Sequence, residues 1–215
     1  MYTGIVQSCL SIQSVEKKEG LTTFAIVFPD ELLQELKTGA SVAVNGVCFT
    51  VTRIEDRTVS FDAIAETLAL SNIQFIEAGT QVNIERSAKS NAEVGGHILS
   101  GHIVGTSELV AIEESSNNKR LIFKGKADWL KFVFEKGYLA VNGCSLTVAA
   151  LDRGKAQFAI NLIPETLTRT NLALLQAGDP VNIEIESQTQ VIVETVERIM
   201  EQRFPKASLP LEIMA

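Results

Sequence analysis

The strongest constraint on the fold is that the chain repeats itself. Residues 42 to 51 (VAVNGVCFTV) and 139 to 148 (LAVNGCSLTV) agree at six of ten positions, at a separation of 97. Glu66-Thr67-Leu68 and Asn72 recur as Glu165-Thr166-Leu167 and Asn171, now 99 apart. Ala78-Gly79 and Val82-Asn83-Ile84-Glu85 recur at that same distance as Ala177-Gly178 and Val181-Asn182-Ile183-Glu184, and Thr3-Gly4 falls on Ser100-Gly101. Ordered blocks with a drift of only two residues define a tandem duplication, and each copy is long enough to fold as a domain. The 215 residues divide into repeat one (1–97), repeat two (98–186), a C-terminal segment (187–204) and a tail (205–215) expected to fray.

Within a repeat, short apolar runs alternate with turn residues, the pattern of a sandwich or barrel. In the first copy strands are expected near 3–15, 21–28, 41–54, 58–64 and 80–86. Asp30 precedes helical spacing that extends to Leu36, and Glu66 to Leu70 reads as a further helical turn. Asn45-Gly46 and Asn142-Gly143, flanked by alternating apolar residues, predict tight hairpins with positive φ. The expected fold is all-β: two tandem six-stranded antiparallel barrels, each with one or two short helices. The C-terminal segment departs from this pattern. Ser187-Gln188-Thr189-Gln190 has capping-box spacing, and Ile192, Val193, Val196, Ile199 and Met200 follow at threes and fours. Such a helix packs either on its own barrel or against copies of itself; a stripe appended after two complete barrels favours the second.

Composition narrows the partners. A net charge of −7 with no lysine or arginine cluster argues against nucleic acid, which needs a basic footprint. No apolar run is long enough to span a membrane, and neither a P-loop nor a dinucleotide fingerprint is present. The N-terminus lacks signal-peptide features and the three cysteines, Cys9, Cys48 and Cys144, match neither a disulfide framework nor a zinc site. A cytoplasmic protein with a small neutral or weakly charged ligand is expected.

Both histidines lie in the glycine-rich segment Gly95 to Gly105, where the repeats join. Metal ligation is disfavoured for His97 and His102, because their five-residue spacing lacks a third imidazole and an acidic cluster. A structural hydrogen-bonding role for one of them is the alternative; acid–base or ligand-orienting chemistry is favoured, since the flanking glycines permit close approach. Strand alternation directs Val47, Phe49 and Val51 inward and Cys48, Thr50 and Thr52 outward. In the second copy Cys144, Leu146 and Val148 go inward while Ser145 and Thr147 face out, and Asp62 corresponds to Asn161. A single polar residue on a strand face is as often merely solvated. Paired across repeats, these groups suggest two related pockets for a polyhydroxylated or heteroaromatic ligand.

With these residues laid out, the chain resembles the riboflavin synthase family of the trimeric alpha-chain type. The resemblance is carried by Met1 to Val6, Ser41 to Val51, Gly95 to His102, Ser145 to Val148 and Leu162 to Leu167, and runs from residue 1 to about 203. It implies dismutation of two molecules of 6,7-dimethyl-8-ribityllumazine to riboflavin and 5-amino-6-ribitylaminouracil, without metal or organic cofactor. It also implies a homotrimer gathered by the C-terminal helix, with sites between the N-barrel of one subunit and the C-barrel of another. By position, His102, His97, Cys48, Ser145 and Thr147 would be catalytic. Tyr2, Gly4, Ser41, Val47, Thr50, Asp62, Ala63, Thr67, Gly101, Lys136, Asn161, Ile163, Thr166 and Glu186 would bind substrate. The chain departs from the family at Tyr2 (usually phenylalanine), Asn142 (usually aspartate) and Glu186 (usually aspartate). Asn142 is the most consequential on this reading, because an amide cannot take a proton as a carboxylate does. A lumazine- or flavin-carrying antenna protein of the same fold is the competing class; such relatives lose the paired histidines.

Overall fold

In a computed structural model, which describes residues 1–115 and 118–203, each repeat closes into a six-stranded antiparallel barrel. Barrel one contains β1 (Ser8–Lys18), β2 (Leu21–Val27), β3 (Ser41–Val44), β4 (Val47–Glu55), β5 (Thr58–Ile64) and β6 (Gln81–Arg86), in the order β1-β2-β5-β4-β3-β6. Barrel two repeats the same neighbour relations with β7 (Gly105–Ser115), β8 (Asn118–Lys124), β9 (Tyr138–Val141), β10 (Cys144–Asp152), β11 (Gln157–Leu162) and β12 (Pro180–Ile185). Short helices α1 (Asp30–Leu33), α2 (Ala65–Leu70), α3 (Ala127–Leu130) and α4 (Pro164–Arg169) occupy the connections, and α5 (Ser187–Arg203) follows barrel two.

A closed sheet needs local bends, which β-bulges supply. The ladder slips between Ile12 and Ser14 on β1 and between Val51 and Arg53 on β4. It slips again between Leu109 and Ala111 and between Val148 and Ala150, so the bending points are duplicated with the sequence. Inward alternation fills barrel one with Phe24, Phe28, Phe49 and Phe61, whose rings meet at centroid distances of 5.1 to 6.2 Å. Phe123, Trp129 and Phe158 fill the equivalent space in barrel two. Each such ring, fully buried, contributes about 1.5–3 kcal/mol of hydrophobic stabilisation.

The two Asn-Gly hairpins form as expected, with φ of +48° and +81° at Asn45 and Gly46 and +46° and +77° at Asn142 and Gly143. They also abut one another across the seam between barrels. A Cβ on Gly46 would stand 2.7 Å from the Gly143 nitrogen, and one on Gly143 2.6 Å from that of Gly46, so the contact admits only glycine. Six buried asparagines surround this point. Asn142 Oδ1 accepts from Asn72 Nδ2 (3.0 Å) and from the Asn182 N–H (2.8 Å); Asn45 Oδ1 accepts from Asn171 Nδ2 (3.0 Å) and the Asn83 N–H (2.9 Å). Asn83 and Asn182 donate across the seam to the carbonyls of Asn142 and Asn45, each at 2.9 Å. Asn142, where the family usually has aspartate, is thus a hydrogen-bond acceptor in the inter-barrel seam.

Local departures have plain causes. The helix expected from Asp30 to Leu36 is a single turn, ended by Glu35 at φ +59°. The cap of α5 comes from Glu186 rather than Ser187: its Oε2 accepts the Thr189 N–H (2.6 Å) and its Oε1 the Gln188 N–H (3.0 Å). Val193 packs on the core of barrel two, and Lys131 pairs with Glu197 at 2.6 Å. Val191, Ile192, Val196, Ile199 and Met200 stay exposed, so one edge of the helix is docked and the rest of its apolar surface is open. Residues 204–215, which hold the expected tail, lie outside the described residues.

Candidate functional site

The opening segments of the two repeats are exchanged. The opening strand expected near 3–15, with Ser100-Gly101 in the place of Thr3-Gly4, starts later in both copies: β1 at Ser8 and β7 at Gly105. Ahead of those strands, the Gly101 carbonyl accepts the Cys48 N–H of barrel one at 3.0 Å, and the Gly4 carbonyl accepts the Ser145 N–H of barrel two at 2.8 Å. Between the two crossings Tyr2 and Leu99 pair antiparallel, with N–H to O distances of 2.8 and 2.9 Å. Gly4 and Gly101 have φ of +74° and +84°, and a Cβ on either would lie 2.5 Å from the Cβ of Ser145 or Cys48. Only glycine lets the segments approach this closely.

The exchange builds one cluster on each barrel. On barrel one, Tyr2 is 1% exposed and packs with Ala43, Leu99 and Ala140. Its hydroxyl donates to the Cys48 sulfur at 3.0 Å. Burial, helped by Cys48, pushes the phenol well above its ordinary pKa, with Ser41 acting in the opposite direction; the group is a donor at neutral pH. Gly101 adjoins Cys48 from the other repeat, and His102, the next residue along, is exposed. Ser41 pairs with Thr50 across β3 and β4. Asp62 is exposed on β5 and accepts from the Thr23 hydroxyl at 2.6 Å; Thr67 follows on α2, half-buried. Val47 and Ala63 are buried and form walls rather than polar contacts.

On barrel two, His97 is 7% exposed and its Nδ1 lies 2.7 Å from the Ser145 Oγ. Its ring stacks on Tyr138 at 5.2 Å, and its backbone N–H donates to the Thr3 carbonyl at 3.1 Å. Nε2 is buried and makes no hydrogen bond among the described residues. Burial lowers the imidazole pKa below 6.5, and the charge of Glu186 partly opposes that shift. For Glu186 itself burial acts to raise the pKa, but the hydrogen bonds from Thr189 and Gln188 outweigh it and hold the carboxyl below its ordinary value. Thr147, exposed, pairs with Tyr138 across β10 and β9. Asn161 and Ile163 are exposed at and just past the end of β11, and Thr166 is half-buried on α4. Lys136 is exposed, with φ +65°.

Two residue sets were missed from sequence. Tyr138 occupies the place of Ser41 in the repeat alignment, a correspondence available from the separation of 97 alone. Glu85 and Glu184 were visible as repeated residues but gave no sign of burial. The thiols differ in kind: burial pushes Cys144 up to about 12, leaving it inert, and Cys48 is the half-buried thiol at the cluster. A groove of about 820 Å³ runs between the N-terminal segment, the α1 region and the connector at Arg86 to Gly95; Thr3, whose carbonyl accepts the His97 N–H, lines it. Among the described residues no group of three or more His, Cys, Asp or Glu side chains could hold a metal ion, and no helix is long and apolar enough to cross a membrane.

Two barrels with exchanged segments, one presenting the Cys48 thiol beside Gly101 and the other the Ser145 hydroxyl beside Gly4 and His97, fit a duplicated protein of the lumazine-binding class. Residues 3–87 and 100–186 each match the lumazine binding domain. The chain is 44% identical over 204 residues to riboflavin synthase of Escherichia coli (strain K12), covering 94% of this chain and 95% of that one. It is 38% identical over 200 residues to riboflavin synthase of Chlamydia pneumoniae, covering 93% and 97%. It belongs to the riboflavin synthase family. Among solved structures it is similar to LumP complexed with riboflavin, with a TM-score of 0.79 and 27% identity over 86% of this chain and all of that one. LumP complexed with 6,7-dimethyl-8-(1'-D-ribityl) lumazine aligns with a TM-score of 0.78 at 26% identity, over 86% and 99%.

Proposed function

We propose that the chain is a riboflavin synthase: it dismutates two molecules of 6,7-dimethyl-8-ribityllumazine, moving a four-carbon unit from one to the other to give riboflavin and 5-amino-6-ribitylaminouracil. The observation that carries this reading is the pair of pseudo-equivalent clusters around Cys48 and Ser145, because a reaction between two copies of one substrate needs two similar sites. The two products together contain all the atoms of the two substrates, so neither an oxidant nor net water is consumed.

In the proposed mechanism one lumazine gives up a proton from its C7 methyl group, and the resulting carbanion attacks the second, whose C7 has taken up a nucleophile. Thr50, Asp62 and Thr67 hold one ring and ribityl chain on barrel one; Thr147, Asn161, Thr166 and Lys136 hold the other on barrel two. Ser145 with His97 and Cys48 with His102 supply the groups that exchange protons with the substrates. The neutral imidazole of His97 is suited to take the Ser145 proton at Nδ1. Holding two stacked heterocycles in register can contribute about 7–11 kcal/mol of barrier lowering, which lets weak acid–base groups suffice.

Asp62 and His102 on one side and Thr147 and Asn161 on the other are exposed on the single chain, and the exposed apolar surface of α5 supports a homotrimer in which barrel one of one subunit faces barrel two of another. Three free cysteines favour the cytoplasm. The test is to incubate purified protein with the lumazine alone and follow riboflavin absorbance: one riboflavin should form for every two lumazines consumed. Tight lumazine binding with no flavin over many turnovers would replace the synthase with a carrier.

A further inference from the structure

Each exchanged segment is gripped by a buried carboxylate of its own repeat. Glu85, 6% exposed on β6, accepts the Thr3 N–H (2.7 Å) and the Thr3 hydroxyl (2.8 Å) at Oε1, and the Gly4 N–H (3.0 Å) at Oε2. Glu184, 4% exposed on β12, accepts the Ser100 N–H (2.7 Å) and hydroxyl (2.8 Å) at Oε1, and shares the Gly101 N–H between both oxygens at 3.1 Å. Neither carboxylate has a Lys, Arg or His partner among the ion pairs of the described residues; each is satisfied by backbone and hydroxyl donors. A carboxylate with that many donors and little water is costly to bury unless the donors are held in place. The segments beyond the grip complete the opposite barrel: Gly4 reaches Ser145, Thr3 reaches the His97 N–H, and Gly101, which precedes His102 in the chain, reaches Cys48.

We infer that Glu85 and Glu184 are crossed positioning residues, each fixing the opening segment of its own repeat so that this segment completes the other barrel's reacting cluster. Glu85 thus serves Ser145 and His97 on barrel two, and Glu184 serves Cys48 and His102 on barrel one. A carboxylate that only stabilised its own barrel would act on the cluster of that barrel, so the direction of the effect separates the two roles. Calling the clusters reacting rests on the proposed function, but the crossed geometry does not, and its test needs no turnover.

The test measures thiol alkylation, resolved by peptide mass so that Cys9 and Cys144 are counted apart. Native Cys48 reports on barrel one, and a Ser145→Cys variant reports on barrel two. In Glu184→Gln an amide N–H opposes one of the donors, and the rate at Cys48 should rise about tenfold or more, the loss expected for a charge-assisted hydrogen bond. The rate at the Ser145→Cys reporter should change far less in that variant. Glu85→Gln should do the reverse, because Tyr2 keeps its own backbone pair with Leu99 and goes on covering Cys48. Circular dichroism and light scattering confirm that the variants are folded and assembled like the parent. If either variant does not fold, Ser100→Ala and Thr3→Val remove a single hydroxyl donor each and should show the same crossed pattern at smaller amplitude. Equal acceleration at both reporters, acceleration within the same barrel as the substitution, or no change would overturn the inference. Loss of riboflavin synthesis in the unmodified chain, with the crossed labelling intact, would refute the proposed activity alone.

Discussion

His97 Nδ1 lies 2.7 Å from the Ser145 Oγ, in a site where the imidazole is 7% exposed and stacked on Tyr138. Burial holds its pKa below 6.5 while the Glu186 charge pulls the other way. If this imidazole is the base, the acid limb of kcat/KM should fall below pH 6.5, and Glu186→Gln should move it to still lower pH by removing the charge that favours protonation. Ser145→Ala should lower kcat by about 100-fold or more with the limb displaced or lost. Stability follows the same sign. Between its lowered folded pKa and 6.5 the unfolded state binds more protons at this histidine, so His97 makes the protein less stable as pH falls through that window. A limb that does not move in Glu186→Gln would assign it to another group.

Tyr2 combines two roles that substitution can separate. Tyr2→Phe keeps the ring between Ala43, Leu99 and Ala140 and loses only the donation to Cys48, so urea unfolding should show a loss of about 0.5–1.5 kcal/mol. Tyr2→Ala removes the ring and should cost about 3–5 kcal/mol. Similar losses in the two variants would mean that the hydroxyl, not the packing, dominates.

Asn142 acts through the seam. Asn142→Asp keeps the Oδ acceptor for Asn72 and Asn182 and tolerates the positive φ of the turn, so turnover should stay within a few-fold of the parent. Asn142→Ala strands both donors and should destabilise the protein by about 1–3 kcal/mol for each buried group left unpaired. Melting curves and steady-state rates on the two variants check this; a large rate gain in Asn142→Asp would return the residue to the active site.

The open face of α5 carries the proposed assembly. Val196→Lys combined with Met200→Lys leaves Val193 docked on barrel two and should convert trimer to monomer by light scattering, with loss of activity. A trimer that survives both substitutions would place the interface elsewhere.

Much of the fold could be read from the sequence because it is written twice. The Asn-Gly turns, the inward Val47, Phe49 and Val51 and the closed barrels follow from short-range alternation, which a duplicated pattern makes hard to mistake. What could not be read is the exchange of the opening segments. Gly4 and Gly101 announce close approach in sequence, but to which partner depends on contacts between repeats, with Ser145 and Cys48 far along the chain. For the same reason His97 and Ser145 could be nominated separately but not paired. The seam role of Asn142 was out of reach for the same reason, because its partners Asn72 and Asn182 come from distant parts of the chain. Glu85 and Glu184 stood in plain sight within a repeated block, yet a charged residue at a strand end ordinarily faces water, and only its donors reveal otherwise.

In the proposed trimer the two substrate copies sit on clusters contributed by different chains. A chain carrying Cys48→Ala with His102→Gln has a broken barrel-one cluster, and a chain carrying Ser145→Ala with His97→Gln has a broken barrel-two cluster. Each should be nearly inactive alone. Co-expressed as mixed trimers, they should regain riboflavin formation well above either parent, because an intact barrel one of the second chain then meets an intact barrel two of the first. Mixed trimers no more active than the parents would mean that both clusters of a working site come from one chain.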